Sequence, residues 1–298
     1  MLDTPTFPQP LSEATHDALW QWAQNAYGLA GQWQTLWLNH LPLGRLNPSW
    51  AERLRQDWQG DIHEDTDGLH LQADSWLALG DGLQHLASEW KRLELLHGWR
   101  DERFDVCDAE GQVLFALERA AFRPFGLLSH AVHLNGLSCR EGEWHFWIGR
   151  RSPHKAVDPD KLDNLVGGGI ASGEDITEAM LRESEEEAGL TPPQLSSLAL
   201  RNRMHSLRSV ARGLHNEILH IFDVILPPDV HPENLDGEVA AFTLMSIGQL
   251  VDAMLNRHMM ADAQLVTLDA FRRFHLLNPQ HPLTQWLQQL HTPHSYAV

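Results

Sequence analysis

The sequence predicts an α+β protein in which a mixed sheet is covered by helices and is preceded by a smaller domain that also mixes helices and strands. Strand-like segments alternate with helical segments and turns in the second part of the chain, which is typical of such a sheet. Nine of the twelve tryptophans lie in the first hundred of the 298 residues. Because the length suits two domains, we place a boundary near Pro124, with a tryptophan-rich α/β domain at 1–124 and a second domain with a helical C-terminal tail at 125–298.

The N-terminal part contains four recognisable elements. Ser12 is a candidate cap for a first helix with an apolar side. A second helix is predicted at residues 48–58. A third is predicted at residues 82–97, where apolar residues recur at helical spacing and Gly98 suits the C-terminal end. The segment RFDVCDAEGQVLFALER alternates apolar residues around a DAEG turn and predicts a hairpin.

The second part alternates strands with helices. Paired strands are predicted for LLSHAVHLNGL and EWHFWIGR, joined by the turn CREGE. Two more are predicted for ALRNRMHSL and EILHIFDVIL. Between these pairs lie the loop SPHKAVDPDK, the segment LDNLVGGGI and an acidic helix. DGEVAAFTLM is a further strand candidate, and SIGQLVDAML and ADAQLVTLDAFRRF predict a helical tail.

The acidic helix has the clearest boundaries. Residues 167–190 hold seven acidic side chains. Asp175 and Glu178 fit a capping box, and Gly189 fits the position just past a helix C-terminus. The sequence therefore predicts a helix at residues 176–188.

Helical spacing divides the carboxylates of this helix into two groups. At about 100° per residue, Glu178 and Glu185 point away from the apolar side and are expected to be solvated. Glu183, Glu186 and Glu187 follow or flank the apolar stripe. Unpaired carboxylates are costly on a partly buried face. Since a hard divalent cation such as Mg²⁺ or Mn²⁺ prefers oxygen ligands, we predict that these three glutamates hold one.

The spacing of the whole segment follows a known pattern. From Gly168 to Gly189 it reads G-x5-E-x7-R-E-x2-E-E-x-G, which resembles the Nudix box. One position departs from that pattern, because the slot after Arg-Glu is usually apolar and here holds Ser184. A serine is small enough that we expect normal packing of the helix. The resemblance implies the Nudix α/β/α sandwich, with a mixed sheet between helices.

Further segments are similar to one Nudix subfamily, namely HAVHLNGL, LDNLVGGGIASGE, HNEILHIFDVILP and LDGEVAAFTLM. That subfamily includes the Nudix portion attached to fungal thiamin pyrophosphokinase and its plant and bacterial relatives, which carry an extra N-terminal domain. The resemblance covers most of the chain and is sharpest between residues 130 and 245. It implies Mg²⁺-dependent cleavage of the diphosphate of thiamin diphosphate, or of its oxidised or damaged analogues, to the monophosphate.

The resemblance also implies roles within the acidic segment. Glu186 and Glu187 are the most secure metal ligands, and Glu183 is next. The bare backbone at Gly168 and Gly169 would let metal and phosphates come close, and the Gly169 carbonyl is a further candidate ligand. At helical spacing, Arg182 can pair with Glu178 or Glu186 and hold the acidic face in place.

The general base and the substrate contacts are less well marked. Glu238, at the start of a strand beyond the box, is the candidate base, and an exposed turn acid is the alternative. Glu217 is a weaker candidate, for which solvation on an edge strand is the alternative.

Three cations before the glycine loop could contact the distal phosphate, although surface exposure is the common state of such side chains; they are Arg150, Arg151 and Lys161. The subfamily resemblance alone places His133 and Asn135 on the substrate side.

Composition excludes some classes of function. Lys plus Arg number 22 against 40 Asp plus Glu, a formal charge of −18, so nonspecific nucleic-acid binding is not expected. The two cysteines form no disulfide framework, and HAVH and HTPH are the only closely paired histidines considered for a metal. No membrane span and no signal peptide is expected, and the predicted location is cytoplasmic. The oligomeric state stays open, with a homodimer as one option.

Two other functions remain open. The reaction could be the same but the substrate ADP-ribose or another nucleoside diphosphate derivative. Alternatively, the chain could be a non-catalytic Nudix-fold module that binds a ligand or partner.

Overall fold

The computed structural model describes residues 5–7, 9–155 and 157–292. The helices are α1 Glu13–Ala26, α2 Pro48–Asp57, α3 Trp76–Arg92, α4 Phe122–Phe125, α5 Ile176–Ala188, α6 Ile247–Leu255, α7 Ala261–Arg273 and α8 Pro282–Gln289. The strands are β1 Gln34–Leu38, β2 Leu41–Leu46, β3 Asp61–Glu64, β4 Leu69–Gln72, β5 Arg103–Cys107, β6 Val113–Glu118, β7 Ser129–Arg140, β8 Glu143–Arg151, β9 Leu162–Asp163, β10 Val166–Gly169, β11 Ala199–Val210, β12 Gly213–Ile225 and β13 Val239–Met245.

The described residues before Phe122 form a four-stranded sheet, a hairpin and the three helices α1, α2 and α3. The sheet has the order β2-β1-β4-β3, and β5 pairs with β6 as the predicted hairpin. Leucines of β1, β4 and α3 surround Trp90, which is 1% exposed. Ser12 caps α1, and α2 ends one residue before the predicted 58, so these two helices are confirmed.

Helix α3 lies earlier in the chain than the predicted 82–97. Ser75 begins it, because its side-chain oxygen accepts a hydrogen bond from the backbone N–H of Ala78 at 3.1 Å. Glu94 has a φ of 58°, which is outside the helical region, so the chain leaves the helix before it reaches Gly98. The apolar stripe predicted the helix but did not fix its ends.

The second part is built on a seven-stranded mixed sheet. Its main order is β11-β12-β7-β8-β13, and β10 and β9 pair with β7 and β8. The pair β12–β7 is parallel, while β11–β12, β7–β8 and β8–β13 are antiparallel. Alternate residues of β7 therefore face opposite sides. Val132 and Leu134 pack with α5, and Ala131 and Leu137 pack with the C-terminal helices. The predicted α/β/α sandwich with a mixed sheet is confirmed.

A helical core covers the second face of this sheet. It combines α6, α7 and α8 with the inner residues of β7 and β12, and Phe271 is fully buried in it. Helix α1 belongs to the same core, because Leu19 and Ala23 are buried among its side chains. The predicted boundary near Pro124 therefore divides the chain by composition, while α1 packs with the C-terminal helices.

None of the described helices is both long and apolar enough to cross a membrane. The two cysteines are free. Within HAVH, His130 and His133 lie on opposite faces of β7, as its alternation requires. In HTPH, His294 lies outside the described residues.

Candidate active site

Helix α5 places its carboxylates in the order that helical spacing predicts. Ala179 and Met180 are fully buried against the sheet. Glu187 continues this buried side and is 5% exposed. The Glu183 side chain is 13% exposed and that of Glu186 is 50% exposed. One edge of the helix therefore changes from apolar core to carboxylates within two turns.

The ends of α5 and its serine match the sequence prediction. Asp175 and Glu178 form both hydrogen bonds of the capping box, and Gly189 ends the helix in the left-handed region. Ser184 is fully buried, and its hydroxyl donates to the carbonyl of Met180 at 2.6 Å. The buried hydroxyl is therefore satisfied within the helix, which lets serine fill the usually apolar slot.

The glycines of β10 form the floor of the site. A methyl group on Gly168 would lie 2.1 Å from the carboxyl carbon of Glu183, and one on Gly169 would lie 2.3 Å from the ring of Phe104. The backbone N–H of Gly167 donates to Glu187 Oε2 at 3.0 Å. The absence of side chains at these positions is what allows the α5 carboxylates to reach the strand.

Arg182 links the acidic residues of the segment. Its guanidinium donates to both oxygens of Glu174, at 2.7 and 2.9 Å. It also donates to Glu183 at 2.9 Å and Glu186 at 3.1 Å, and Nη2 donates to the Gly169 carbonyl at 3.4 Å. The predicted pair with Glu186 forms. The alternative pair with Glu178 does not, because Glu178 is used in the capping box.

Burial disfavours the ionised forms of the Glu183 and Glu187 carboxylates. Burial, followed by repulsion from Glu183, raises the pKa of Glu187 to about 8. Burial also raises the pKa of Glu183, although Arg182 opposes this change. The nearest described cation to Glu187 is Lys155, with Nζ 3.8 Å from Oε1. Burial also lowers the pKa of Lys155, so the positive charge of Lys155 does not fully offset the negative charge of Glu187.

Glu238 lies on the wall of the cavity that faces α5, and its carboxylate comes close to that of Glu187. Its carboxylate binds Lys155 and accepts from Arg100 Nη1 at 2.6 Å. Ligand-type oxygens of Glu187, Asp236 and Glu238 all lie within 4.8 Å of one another. Glu238, which the sequence marks as the candidate base, therefore lies close to Glu187 at the buried end of α5.

These groups line a cavity of about 360 Å³ between the N-terminal part and the sheet. The second part contributes the glycine floor and the α5 glutamates. The N-terminal part contributes a wall that includes Arg100, Glu102, Phe104 and Arg119. Arg119 pairs with Glu102 and lies over the ring of Phe104. The site therefore combines residues from both parts of the chain.

Some sequence-predicted contacts lie in this cavity. His133 and Arg151 line it together with Gly168 and Gly169. Arg151 Nη1 is held 2.8 Å from Asp163 Oδ2. His133 Nδ1 lies 3.0 Å from Asn164 Oδ1.

Three other predicted contacts lie outside the cavity lining. Arg150 is exposed and pairs with Asp160, and Lys161 pairs with Asp158. Asn135 is buried behind the site and donates to Asp223 at 3.0 Å. Because successive side chains of a strand point to opposite faces, Arg151 of β8 points into the cavity and its neighbour Arg150 points away from it. The placement of Arg150 and Lys161 therefore does not support contact with the distal phosphate, and that of Asn135 does not support contact with the substrate.

Glu217 also differs from its expected setting. Strand β12 lies between β11 and β7, so Glu217 is on an interior strand rather than an edge strand. Its side chain is 16% exposed and lines the cavity. Solvation on an edge strand, the alternative offered by the sequence, is therefore wrong.

Sequence reasoning missed several residues of the site, namely Arg100, Glu102, Phe104, Arg119, Lys155, Asp163 and Asp236. Lys155 lies in the loop SPHKAVDPDK, and its position depends on loop conformation that periodicity does not report. Glu174 was visible as a fixed position of the motif, and its bonds to Arg182 supply the reason for that position.

The donor set fits a hard divalent cation. Glu187 is buried and Glu183 partly buried, both carboxylates have raised pKa values and incomplete charge compensation, and Glu186 lies at the rim of the cavity. Oxygen donors of this kind suit Mg²⁺ or Mn²⁺. The identity of the ion and the ligand roles stay predictions.

Comparison with known proteins agrees with this geometry. Residues 133–269 match the family model described as the NUDIX domain. Residues 133–269 of this chain are therefore similar to a NUDIX domain. Nudix hydrolase 24, chloroplastic, of Arabidopsis thaliana is 35% identical over 191 residues, which cover 63% of this chain and 52% of that protein. Nudix hydrolase 20, chloroplastic, of the same plant is 32% identical over 194 residues, covering 62% and 50%.

The chain spans about half the length of these curated Nudix relatives. A crystal structure of a Deinococcus radiodurans protein aligns with 56% of this chain and 98% of its own, with 23% identity and a TM-score of 0.43. The Nudix match begins at His133 and includes the acidic segment, β11 to β13, α6 and most of α7.

We expect Arg182→Lys to lower kcat and the affinity for Mg²⁺ each by about 10- to 100-fold, because outer groups that orient metal ligands contribute effects of this size. Lysine keeps the charge but cannot bind Glu174, Glu183 and Glu186 together. Steady-state kinetics across a Mg²⁺ titration measures both effects. Arg201→Lys, an exposed arginine on β11, is the matched control and should leave both values unchanged. A variant that kept wild-type kcat and metal affinity would contradict this role.

Proposed function

We propose that the protein is a Mg²⁺- or Mn²⁺-dependent hydrolase of phosphoric anhydride bonds in organic diphosphates. The observation that carries the proposal is the pair of carboxylates of Glu187, which is buried, and Glu183, which is partly buried, held against bare glycine backbone in a cavity that also contains arginine and lysine side chains. Its relatives named Nudix hydrolases support the same reaction class.

In the proposed reaction, water adds to one phosphorus of the diphosphate and the bridging P–O bond breaks. An organic diphosphate then yields the organic monophosphate and inorganic phosphate. A divalent cation supplies charge neutralisation and a more acidic water when it is bound. Glu183, Glu186 and Glu187 hold that cation, and Arg182 fixes the orientation of Glu183 and Glu186.

The wall opposite α5 provides the remaining groups. Glu238 accepts the proton of the attacking water, and its carboxylate is held in the cavity by Arg100 and Lys155. Lys155 and Arg151 line the same cavity as the glycine floor and contact phosphate oxygens. Charge-assisted hydrogen bonds of this kind stabilise the charge that develops in phosphoryl transfer.

We further propose that the substrate is thiamin diphosphate or one of its oxidised or damaged analogues, with the monophosphate as product. Support comes from the similarity of HAVHLNGL, LDNLVGGGIASGE, HNEILHIFDVILP and LDGEVAAFTLM to the thiamin-related Nudix subfamily. ADP-ribose and other nucleoside diphosphate derivatives are the competing substrates. A module that binds without catalysis is the competing function.

We expect chelation of divalent cations by EDTA to abolish hydrolysis, and Mg²⁺ or Mn²⁺ in excess to restore it, because the carboxylates need a cation to act on an anionic substrate. The measurement is chromatographic quantification of the organic monophosphates formed from thiamin diphosphate, oxothiamin diphosphate and ADP-ribose, with phosphate release measured for inorganic diphosphate. The thiamin compounds should give a kcat/KM at least about tenfold above that of ADP-ribose, the discrimination that about 1.4 kcal/mol of differential binding provides.

Full activity in EDTA would contradict the metal requirement. Equal kcat/KM values for ADP-ribose and the thiamin compounds would contradict the substrate assignment alone. If the protein bound thiamin diphosphate but cleaved no member of the panel, the binding module would replace the enzyme.

A further inference from the structure

The cavity has a second polar end, away from the α5 glutamates. Glu217 on β12 pairs with Ser129 on β7, and two residues along β7 Ala131 pairs with Gly169 on β10. With strands about 4.8 Å apart and about 3.3 Å per residue, the backbones of Glu217 and Gly169 are separated by roughly 12 Å. We call the group formed by Ser129, His215 and Glu217 the far end of the cavity. Ser129 and Glu217 line the cavity, and His215 is buried behind these two residues.

Glu217 is a carboxylate with an available oxygen. The Ser129 hydroxyl donates to Oε1 at 2.8 Å. Oε2 lies 3.7 Å from His215 Nε2, which is beyond hydrogen-bond distance. Among the described residues, no arginine or lysine lies within 4 Å of this carboxylate, whereas Glu102, Asp163 and Glu238 in the same cavity are each paired with one.

A buried network fixes the surroundings of Glu217. Arg208 donates to both oxygens of Asp262, at 3.0 and 2.9 Å, and Ser206 donates at 2.7 Å. Asp262 is therefore satisfied. Arg123 Nη2 lies 3.2 Å from His215 Nδ1. Because a guanidinium only donates, Nδ1 must accept, and the proton of neutral His215 is on Nε2.

This network argues against a second metal ion at the far end. His215, Glu217 and Asp262 have ligand-type atoms within 4.8 Å of one another, but a metal would need the unprotonated Nε2 of His215. His215 is 1% exposed, and its Nε2–H lies 3.2 Å from Asp262 and 3.7 Å from Glu217 without forming a hydrogen bond to either. The far end thus presents a carboxylate oxygen of Glu217 that has no direct ion-pair partner among the arginines and lysines of the described residues, while the charges of Arg123 and Arg208 act on it from a longer distance.

We propose that the far end is the subsite for the organic group of the substrate, and that Glu217 accepts a hydrogen bond from an N–H of that group or attracts a positively charged nitrogen of it. The substrate class is a diphosphate ester of an amino-substituted or cationic nitrogen heterocycle. The separation of roughly 12 Å leaves room for a diphosphate at the glycine floor and a ring at Glu217. The same distance keeps Glu217 away from the water at the diphosphate, so it is a recognition residue rather than the base. The proposal rests on the proposed diphosphate hydrolysis.

The test compares Glu217→Gln on two kinds of diphosphate. Thiamin diphosphate carries an amino group and a cationic ring, and isopentenyl diphosphate carries no N–H. We expect KM for thiamin diphosphate to rise about 10- to 100-fold with kcat changed less than about threefold, the usual effect of losing a hydrogen bond to a charged group. The kcat/KM for isopentenyl diphosphate should stay within about twofold. Glutamine can still accept from Ser129, which preserves the local fold.

Glu143→Gln, an exposed turn acid remote from the cavity, is the matched control. Equal losses on both substrates would overturn the recognition role, and a fall in kcat at constant KM would make Glu217 a catalytic group. A Mn²⁺ stoichiometry one ion lower in Glu217→Gln than in the wild type would favour the metal interpretation.

Direct binding separates this proposal from the hydrolase itself. Calorimetric titration with thiamin diphosphate in Ca²⁺ reports the subsite even if nothing is cleaved. Unchanged affinity in Glu217→Gln would overturn the subsite while leaving hydrolysis intact. An affinity at least about tenfold weaker, in a protein that cleaves no diphosphate, would support the subsite and reject the enzymatic function.

Discussion

Glu187→Gln is expected to lower kcat by about a thousandfold or more with Mg²⁺ supplied, because charge stabilisation by a metal ion is worth several kcal/mol in the transition state. Glutamine has the shape of glutamate, and its carbonyl can still accept from the Gly167 N–H that lies 3.0 Å away in the wild type. The charge is lost while the fold is kept. Initial rates on the best substrate, at saturating Mg²⁺, measure the effect.

Glu185→Gln is the control for this experiment, since Glu185 is an exposed residue on the other side of α5. Its kcat should stay within about twofold of the wild type, as for most surface substitutions. Thermal unfolding should give similar midpoints for both variants or a slightly higher one for Glu187→Gln, because a buried carboxylate with a raised pKa is replaced by a neutral group. Wild-type turnover by Glu187→Gln would reject the metal assignment.

Gly168→Ala is expected to lower kcat/KM by about a hundredfold or more with little loss of stability. The new methyl group would lie 2.1 Å from the carboxyl carbon of Glu183, well inside van der Waals contact. The end of a glutamate side chain can rotate away, so the backbone is not forced to move. Glu183 then leaves its place beside Arg182, and the loss of one aligned ligand costs several kcal/mol of transition-state stabilisation.

Kinetics and circular dichroism on the purified variant measure the two parts of this expectation. Gly248→Ala is the control, because that glycine lies in α6 with nothing nearer than 4.0 Å to a new methyl group. It should be fully active and slightly more stable, by about 0.5–1 kcal/mol. Gly168→Ala with normal kinetics would show that Glu183 does not need its observed position.

The acidic helix could be predicted closely because its signals are local. Each of these signals depends on residues within one or two helical turns: the N-cap at Asp175, the C-terminal end at Gly189 and the apolar periodicity between them. The same locality made Glu183 and Glu187 identifiable as carboxylates on the side of the helix that faces the sheet. Helix α3 shows the limit, since its stripe was recognised but its cap at Ser75 was not.

The opposite wall of the cavity could not be predicted, because it depends on tertiary packing. Arg100 and Glu238 are 138 positions apart in the chain, yet their side chains form an ion pair at 2.6 Å. Phe104 of the hairpin lies against Gly169 of the floor, because β5 packs against β7 of the seven-stranded sheet. Lys155 lines the cavity while Lys161 pairs with Asp158 outside it, because loop conformation decides which of the two lysines faces the cavity.

Helix α1 has a consequence for how the chain is made. Leu19 and Ala23 are buried against helices that end at Gln289, so this core cannot close until the last of those helices has been synthesised. At about 5–20 residues per second, α1 waits roughly 15–50 s on the ribosome for its partners. Its apolar side must stay exposed or be covered by a chaperone during that time. Late closure between distant segments also makes this core slow to form, and it is the region where nascent chains of this protein are most exposed to aggregation.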